Sequence, residues 1–261
     1  MKVSEEELQA LRFYEGDVGS LEDPFLKDPK AYVTWNALFF DNMTSEAARS
    51  AEGRFLNPEL LKQPQRMINL SLELLKSFRH MPKREKEFVT CRVERLADYQ
   101  SFLEQGRMRS FISTSHAGFL NAYADKEDLV LMKVHITPDI PCGDFGILLD
   151  EYRKEEESEV LLAPYLSFVS IPAVPSESEL SIRDRNGNPP AVICDIYPKA
   201  EFPKSAQEIS LPDEKQIRAG VRVYEAFNAH EKPKEEDIEL YLDYKKAFQN
   251  LFLKEAERIR L

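Results

Sequence analysis

Three short runs hold residue types that can do chemistry together. They are Arg92 in Val89-Thr90-Cys91-Arg92, the hydroxyl run Ser113-Thr114-Ser115, and the carboxylates of Glu157-Ser158-Glu159. In an extended chain successive side chains alternate between faces, so Glu157 and Glu159 point the same way. Two like charges at the mouth of the apolar run Val160-Leu161-Leu162 are costly unless something uses them. A carboxylate so placed can accept a proton or face a developing positive charge. An arginine offers fixed donors to a phosphate. Each run also has an ordinary reading: a salt-bridged surface arginine, turn chemistry at a strand end, and a solvated acidic loop. Their joint occurrence in this order, each beside a β-like segment, argues for a site.

The segments that must position these runs are legible from periodicity. Glu87 to Val93 is β-branched and bounded by charge, so a strand carries Arg92. Arg95 to Gln105 reads as a short helix closed by Gly106. Met108 to Ser115 is strand-like, Leu129 to Ile136 is a nearly unbroken apolar strand, and Val160-Leu161-Leu162 and Leu166 to Ile171 follow the acids. Leu180 to Arg185 and Ala191 to Tyr197 flank Asn186-Gly187, which predicts a β-hairpin.

Residues 1–80 read mostly as helix. Ser4-Glu5-Glu6-Glu7 has capping-box spacing, and Ala31 to Met43 is apolar enough for a buried helical segment. Met67, Leu70, Leu74, Leu75 and Phe78 form one face of a helix over Gln65 to Arg79. From about Ser210 the helical period returns: first Ile217, Val221, Tyr224 and Phe227, then Ile238, Tyr241, Leu242, Lys245, Phe248, Leu251 and Phe252. Glu235-Glu236-Asp237 suits the second helix's N-terminus. The expected organisation is a helical part (1–80), a strand-rich core (81–203) and a C-terminal helical extension (204–261), together one compact unit. Strands this close in sequence argue for a mainly antiparallel α+β fold rather than a doubly wound sheet.

Composition narrows the class. The chain has 261 residues, 43% apolar and 31% charged, and a net charge of -11. That is an ordinary soluble composition, and the negative charge disfavours a basic nucleic-acid face while leaving a local groove open. No run is long enough to span a bilayer. The three cysteines (Cys91, Cys142, Cys194) make neither a metal pattern nor a disulfide framework. No Gly-rich phosphate loop of the Rossmann or P-loop type occurs. The first residues carry no apolar signal stretch, so a cytoplasmic location, or delivery by a route that needs no signal peptide, is expected.

The three runs resemble the mono-ADP-ribosyltransferases of the Arg–Ser–Glu class. Phe111-Ile112-Ser113-Thr114-Ser115 is similar to that family's aromatic-x-Ser-Thr-Ser strand, and Glu157-Ser158-Glu159-Val160-Leu161 to its Glu-x-Glu strand. Gly106, shortly before the serine run, also fits. The short interval from Arg92 to Ser113 looks like the compact ecto-enzyme type, and the resemblance covers roughly residues 60–200. The family often has Tyr-Arg-Gly at the first motif, where this chain has Cys91-Arg92-Val93. That departure leaves Arg95 as the alternative to Arg92.

The resemblance implies a core of two packed, mainly antiparallel sheets, with the N-terminal helices and a C-terminal helical pair around it. It implies NAD as substrate, no metal, and an acceptor protein modified on arginine, as for a toxin or effector. Arg92, Ser113, Thr114, Ser115, Phe145 and Glu159 would then hold NAD, with Phe145 stacking on nicotinamide. Glu159 would stand beside the sugar as the bond to nicotinamide breaks through an oxocarbenium-like state, and Ser113 would hold Glu159. Glu157 would orient and deprotonate the incoming guanidinium, with Tyr152 also contacting the acceptor. His116 reads as a polar residue beside the cleft. Two alternatives stand beside this: the same site with water, a nucleotide or nucleic acid as acceptor, and a non-catalytic binding protein that uses the C-terminal helices. The stripe on those helices is read as intramolecular packing, with a partner groove as the runner-up.

Overall fold

The computed structural model describes residues 3–16, 21, 23–43, 46, 55–116, 118–119, 126–149, 159–201, 203–204 and 210–259. The chain divides into two compact units, a helical one built from Met1–Arg79 with Pro203–Leu261 and a sheet unit of His80–Phe202.

In the helical unit the sequence signals act locally as expected. Helix α1 (Glu5–Glu15) starts on a complete capping box. Ser4 Oγ accepts the Glu7 N–H at 3.2 Å and the Glu7 carboxylate accepts the Ser4 N–H at 2.8 Å. Gly16 ends it at φ +78°, where a Cβ would lie 2.5 Å from the Pro29 carbonyl oxygen. Helix α2 (Ala31–Ala37) is shorter than the Ala31 to Met43 reading. Its Trp35 is fully buried and donates to Ser71 Oγ at 2.7 Å. After the single turn α3 (Pro58–Leu61), helix α4 (Pro64–Ser77) buries the predicted stripe of Met67, Leu70, Leu74 and Leu75.

The C-terminal pair belongs to this same unit. Helix α8 is Glu214–Asn228 and α9 is Glu235–Ala256. The rings of Phe248 and Phe252 meet Phe39 edge-on at 5.6 and 5.2 Å. Asn228 closes the segment before α3, accepting the Leu56 N–H at 2.9 Å and donating to its carbonyl at 2.7 Å. Tyr241, Lys245, Phe248 and Phe252 are all buried. The stripe is therefore an intramolecular packing face.

Among the described residues the sheet unit has eight strands, in the order β2-β7-β8-β4-β1-β3-β6-β5. They are β1 (Phe88–Arg95), β2 (Arg107–Met108), β3 (Ile112–Ser115), β4 (Leu129–Ile136), β5 (Cys142–Asp144), β6 (Glu159–Leu162), β7 (Leu166–Pro172) and β8 (Val192–Lys199). Helix α5 (Leu96–Gln105) follows β1 and ends at Gly106 with φ +62°. The one-turn helix α6 (Phe145–Leu148) follows β5, and α7 (Glu177–Ser181) follows β7. Among the described residues only the β4–β8 pairing is parallel, as Val130↔Val192 to Val134↔Ile196. The apolar run of β4 is buried on both faces except at Lys133 and His135, as a central strand requires.

Three expectations change here. The strands hydrogen-bond as one sheet, but β1 and β3 share a single residue pair, Cys91↔Ser115. A five-strand ladder and a three-strand ladder therefore meet at that one pair. The strand expected over Met108 to Ser115 is two strands, β2 and β3, that pair with different partners. The hairpin around Asn186-Gly187 is not formed. Gly187 does make a turn, at φ +82°, but the arm before it starts in helix α7, set by a capping box between Ser176 and Glu179, and Ile182 to Arg185 form no strand. The Asp184 carboxylate accepts the N–H groups of Asn186 and Asn188 at 2.9 and 2.7 Å, folding the loop on itself. Strand β8 has both edges paired, with β4 and β7, so it had no edge for a hairpin partner. Among the described residues no helix is long and apolar enough to cross a membrane.

Candidate functional site

Arg92, Ser113, Ser115 and Glu159 lie on the neighbouring strands β1, β3 and β6, where the two ladders meet. Arg92 is next to Cys91 of the Glu159 row and so on the opposite face by strand alternation. Strand β1 runs beside β4 over its whole length, Phe88↔Ile136 to Arg95↔Leu129. It leaves β3 after Cys91↔Ser115. Arg92 is the next residue, and its guanidinium reaches the Ser113 carbonyl, donating from Nη1 at 2.5 Å. Its Nε donates to Glu94 Oε1 at 2.6 Å, and its Nη2 also donates to Glu94. Glu94 is nearly fully buried and Arg92 partly so. The carboxylate and the carbonyl together hold the guanidinium plane in one orientation. Arg95 ends β1 at the N-cap position of α5.

Strand β3 carries the hydroxyls to β6. The register is Ser113↔Leu161, Thr114↔Val160 and Ser115↔Glu159. Ser113, Ser115 and Glu159 therefore share one face, with Glu159 directly opposite Ser115 and diagonal to Ser113. Directly opposed side chains start about 5 Å apart and diagonal ones about 7 Å. Both serines lie within reach of a glutamate. Thr114 faces the other way. It is buried, and its hydroxyl donates to the Val160 carbonyl at 2.8 Å. Phe145, first residue of α6, is buried at 2% exposure. Glu157 and Tyr152 lie outside the described residues.

The signal for Glu94 was in the sequence. Residues two apart on a strand share a face, so an Arg-x-Glu in a predicted strand is a ready ion pair.

The row through Glu159 continues across the sheet as Ser115, Cys91, Lys133, Asp195 and Ile171, each paired with the next. Burial pushes the Cys91 thiol up, and nearby Glu179 adds to this against Lys133. In the neighbouring row His135 is stacked on Tyr197, with ring centroids 4.4 Å apart. Its Nδ1 meets Glu87 at 2.7 Å and its Nε2 meets Asp195 at 3.0 Å. Partial burial opposes the imidazolium, but the bonds to Asp195 and Glu87 outweigh it and raise the His135 value.

This arrangement makes stability pH-dependent. The protonated His135 favours the folded state, and that contribution is fully present below the unfolded histidine value of about 6.5. It is lost as pH rises through the raised folded value. The urea midpoint should therefore fall as pH rises through the neutral range. His135→Gln should flatten that stretch of the profile. An unchanged slope in the variant would remove His135 as its source.

Among the described residues no cluster of three or more His, Cys, Asp or Glu side chains could hold a metal ion. A groove lined by Gln65, Arg66, Asn69, Leu211 and Ile217 lies in the helical unit and contains none of the candidate residues.

No family model and no curated protein matches the chain. Solved structures do align with it. The catalytic domain of VahC from Aeromonas hydrophila is 14% identical with a TM-score of 0.43, covering 75% of this chain and 99% of that one. The Clostridium limosum C3 exoenzyme is 14% identical with a TM-score of 0.38, covering 76% and 87%. The Vis toxin, an ADP-ribosyltransferase from Vibrio splendidus, is 16% identical with a TM-score of 0.36, covering 76% and 75%. None of these TM-scores reaches 0.5, so none decides the fold or the activity of this chain.

Proposed function

We propose that this chain is an NAD-dependent mono-ADP-ribosyltransferase that modifies arginine side chains of an acceptor protein. The observation that supports the reading is the placement of Ser113, Ser115 and Glu159 on one face of the β3–β6 ladder, next to the strand that carries Arg92. Arg92 is held on the Ser113 carbonyl, and Glu159 stands opposite Ser115 on the face that Ser113 shares.

NAD brings a pyrophosphate and a cationic nicotinamide as leaving group. The fixed guanidinium of Arg92 binds phosphate oxygens. Glu159 accepts a ribose hydroxyl and places negative charge beside the sugar as positive charge develops there. Ser113 and Ser115 orient that carboxylate, while Thr114 secures β3 to β6. Glu157 takes the proton of the acceptor guanidinium, and Tyr152 contacts the acceptor. Arginine is almost never neutral near pH 7, so such an acceptor needs a carboxylate.

The acceptor assignment is tested with labelled NAD and an arginine-rich protein or an agmatine-type guanidine. Glu157→Gln should lose transfer by roughly 10²-fold, the range of a general base, while nicotinamide release to water persists. Equal loss of both would remove the acceptor role from Glu157. Transfer as fast as wild type would remove arginine as the acceptor.

A further inference from the structure

A second set of side chains grips the entrance of β6. This strand lies between β3 and β5. His116 directly follows β3, while Asp144 ends β5 and is paired with Val160, the neighbour of Glu159. His116 Nε2 and Asp144 Oδ2 are 3.2 Å apart. The two strands flanking β6 are thus tied to each other beside the residue on which the proposed reaction depends.

The tie is buttressed from the segment leading into β1. The Phe88 ring lies tilted against His116 at 5.1 Å. Arg84 sits over Phe88 at 4.6 Å and also donates to Cys142 Sγ in β5. The Asp144 N–H points to Met81 Sδ at 3.3 Å.

We infer that His116 and Asp144 are positioning residues for Glu159, a statement that rests on the transferase reading above. Magnitudes favour this role over a purely stabilising one. The side chains are 35% and 16% exposed, and a polar contact this open contributes at most about 1 kcal/mol to folding. A misplacement of about 1 Å in a reacting group can cost about 10²-fold in rate. Loosening the β6 entrance should therefore show in turnover far more than in stability.

The experiment compares His116→Ala, Asp144→Ala, the double variant and His116→Gln, whose amide nitrogen can reach Asp144. Nicotinamide release and amide hydrogen exchange are both followed. Each alanine variant should lower kcat about tenfold or more, with KM for NAD within about twofold. The double variant should be no worse than the single ones, because the pair acts as one unit. His116→Gln should recover most of kcat. Exchange should accelerate at Val160 and Leu161 in the alanine variants and stay unchanged at Leu131 and Met132. Unchanged β6 exchange overturns the inference, as do losses that multiply in the double variant. If wild type releases no nicotinamide, the transferase reading fails by itself. Exchange at β6 then still decides whether His116 and Asp144 hold the strand.

Discussion

Glu159→Gln should lower nicotinamide release by about 10²- to 10³-fold and leave the fold intact. Glutamine has almost the same shape and can still accept a hydrogen bond from Ser115 or Ser113 across the β3–β6 ladder. It cannot place negative charge beside the sugar. Losing one preorganised electrostatic group typically costs a factor of that size. The position is half-buried at the first residue of β6, so removing the charge opens no cavity. Stability should stay within about 0.5 kcal/mol, the usual range of such surface changes. Steady-state kinetics with fluorescent or radiolabelled NAD gives kcat, and NAD titration gives the binding constant. The variant should bind NAD within a few-fold of wild type, because Arg92 is untouched. A variant that turns over at the wild-type rate removes Glu159 from the mechanism. A variant that fails to bind NAD gives Glu159 a ground-state role instead.

How far the sequence reached this site follows from which forces are local. Strand β4 and helices α8 and α9 were legible because burial imposes a period on one segment at a time. The capping box at Ser4 and the acids opening α9 were legible because both partners lie within one turn. Asn186-Gly187 signalled a turn, and a turn exists. Whether two strands flank it depended on β4 and β7 competing for the edges of β8, which no local pattern records. The serine run and the Glu-x-Glu run were visible as residue types. That β1 leaves β3 after a single pair, so that Arg92 closes on the Ser113 carbonyl, follows from how the whole sheet assembles. Thr114 shows the same limit. Its neighbours suggested a ligand contact, whereas its parity on β3 turns its hydroxyl to the Val160 carbonyl.

Lys245 is the sharpest case of a partner hidden from the sequence, and removing it should be the most destabilising of the changes considered. Periodicity placed a lysine on the buried stripe of α9, and Lys245 is 1% exposed. Its Nζ lies 2.6 Å from Oε1 of Glu46, which is fully buried, and 2.8 Å from the Asn42 carbonyl. Tyr241 donates to the same Oε1 at 3.4 Å, and its hydroxyl meets that of Tyr224 at 2.6 Å. Burial, with Tyr224 and Glu46 nearby, holds the Tyr241 phenol well above its ordinary value. It therefore remains a neutral donor at any pH of interest.

Replacing one member of such a pair leaves a buried charge uncompensated, at a cost of about 3–5 kcal/mol. Lys245→Met keeps the volume and strands the Glu46 carboxylate, whose Oε2 already has no partner among the described residues. Glu46→Gln should cost less, because Lys245 retains the Asn42 carbonyl. Combining Lys245→Met with Glu46→Gln in one protein should recover part of the loss. Urea unfolding followed by circular dichroism measures all three. At about 2–4 °C per kcal/mol for a domain of this size, Lys245→Met should lower Tm by roughly 10 °C. A Lys245→Met protein as stable as wild type would show that the pair is neutral in the balance of folding. The double variant then separates two causes. If it is as unstable as the lysine change alone, the loss comes from packing around α9. If it recovers, the loss comes from the stranded carboxylate.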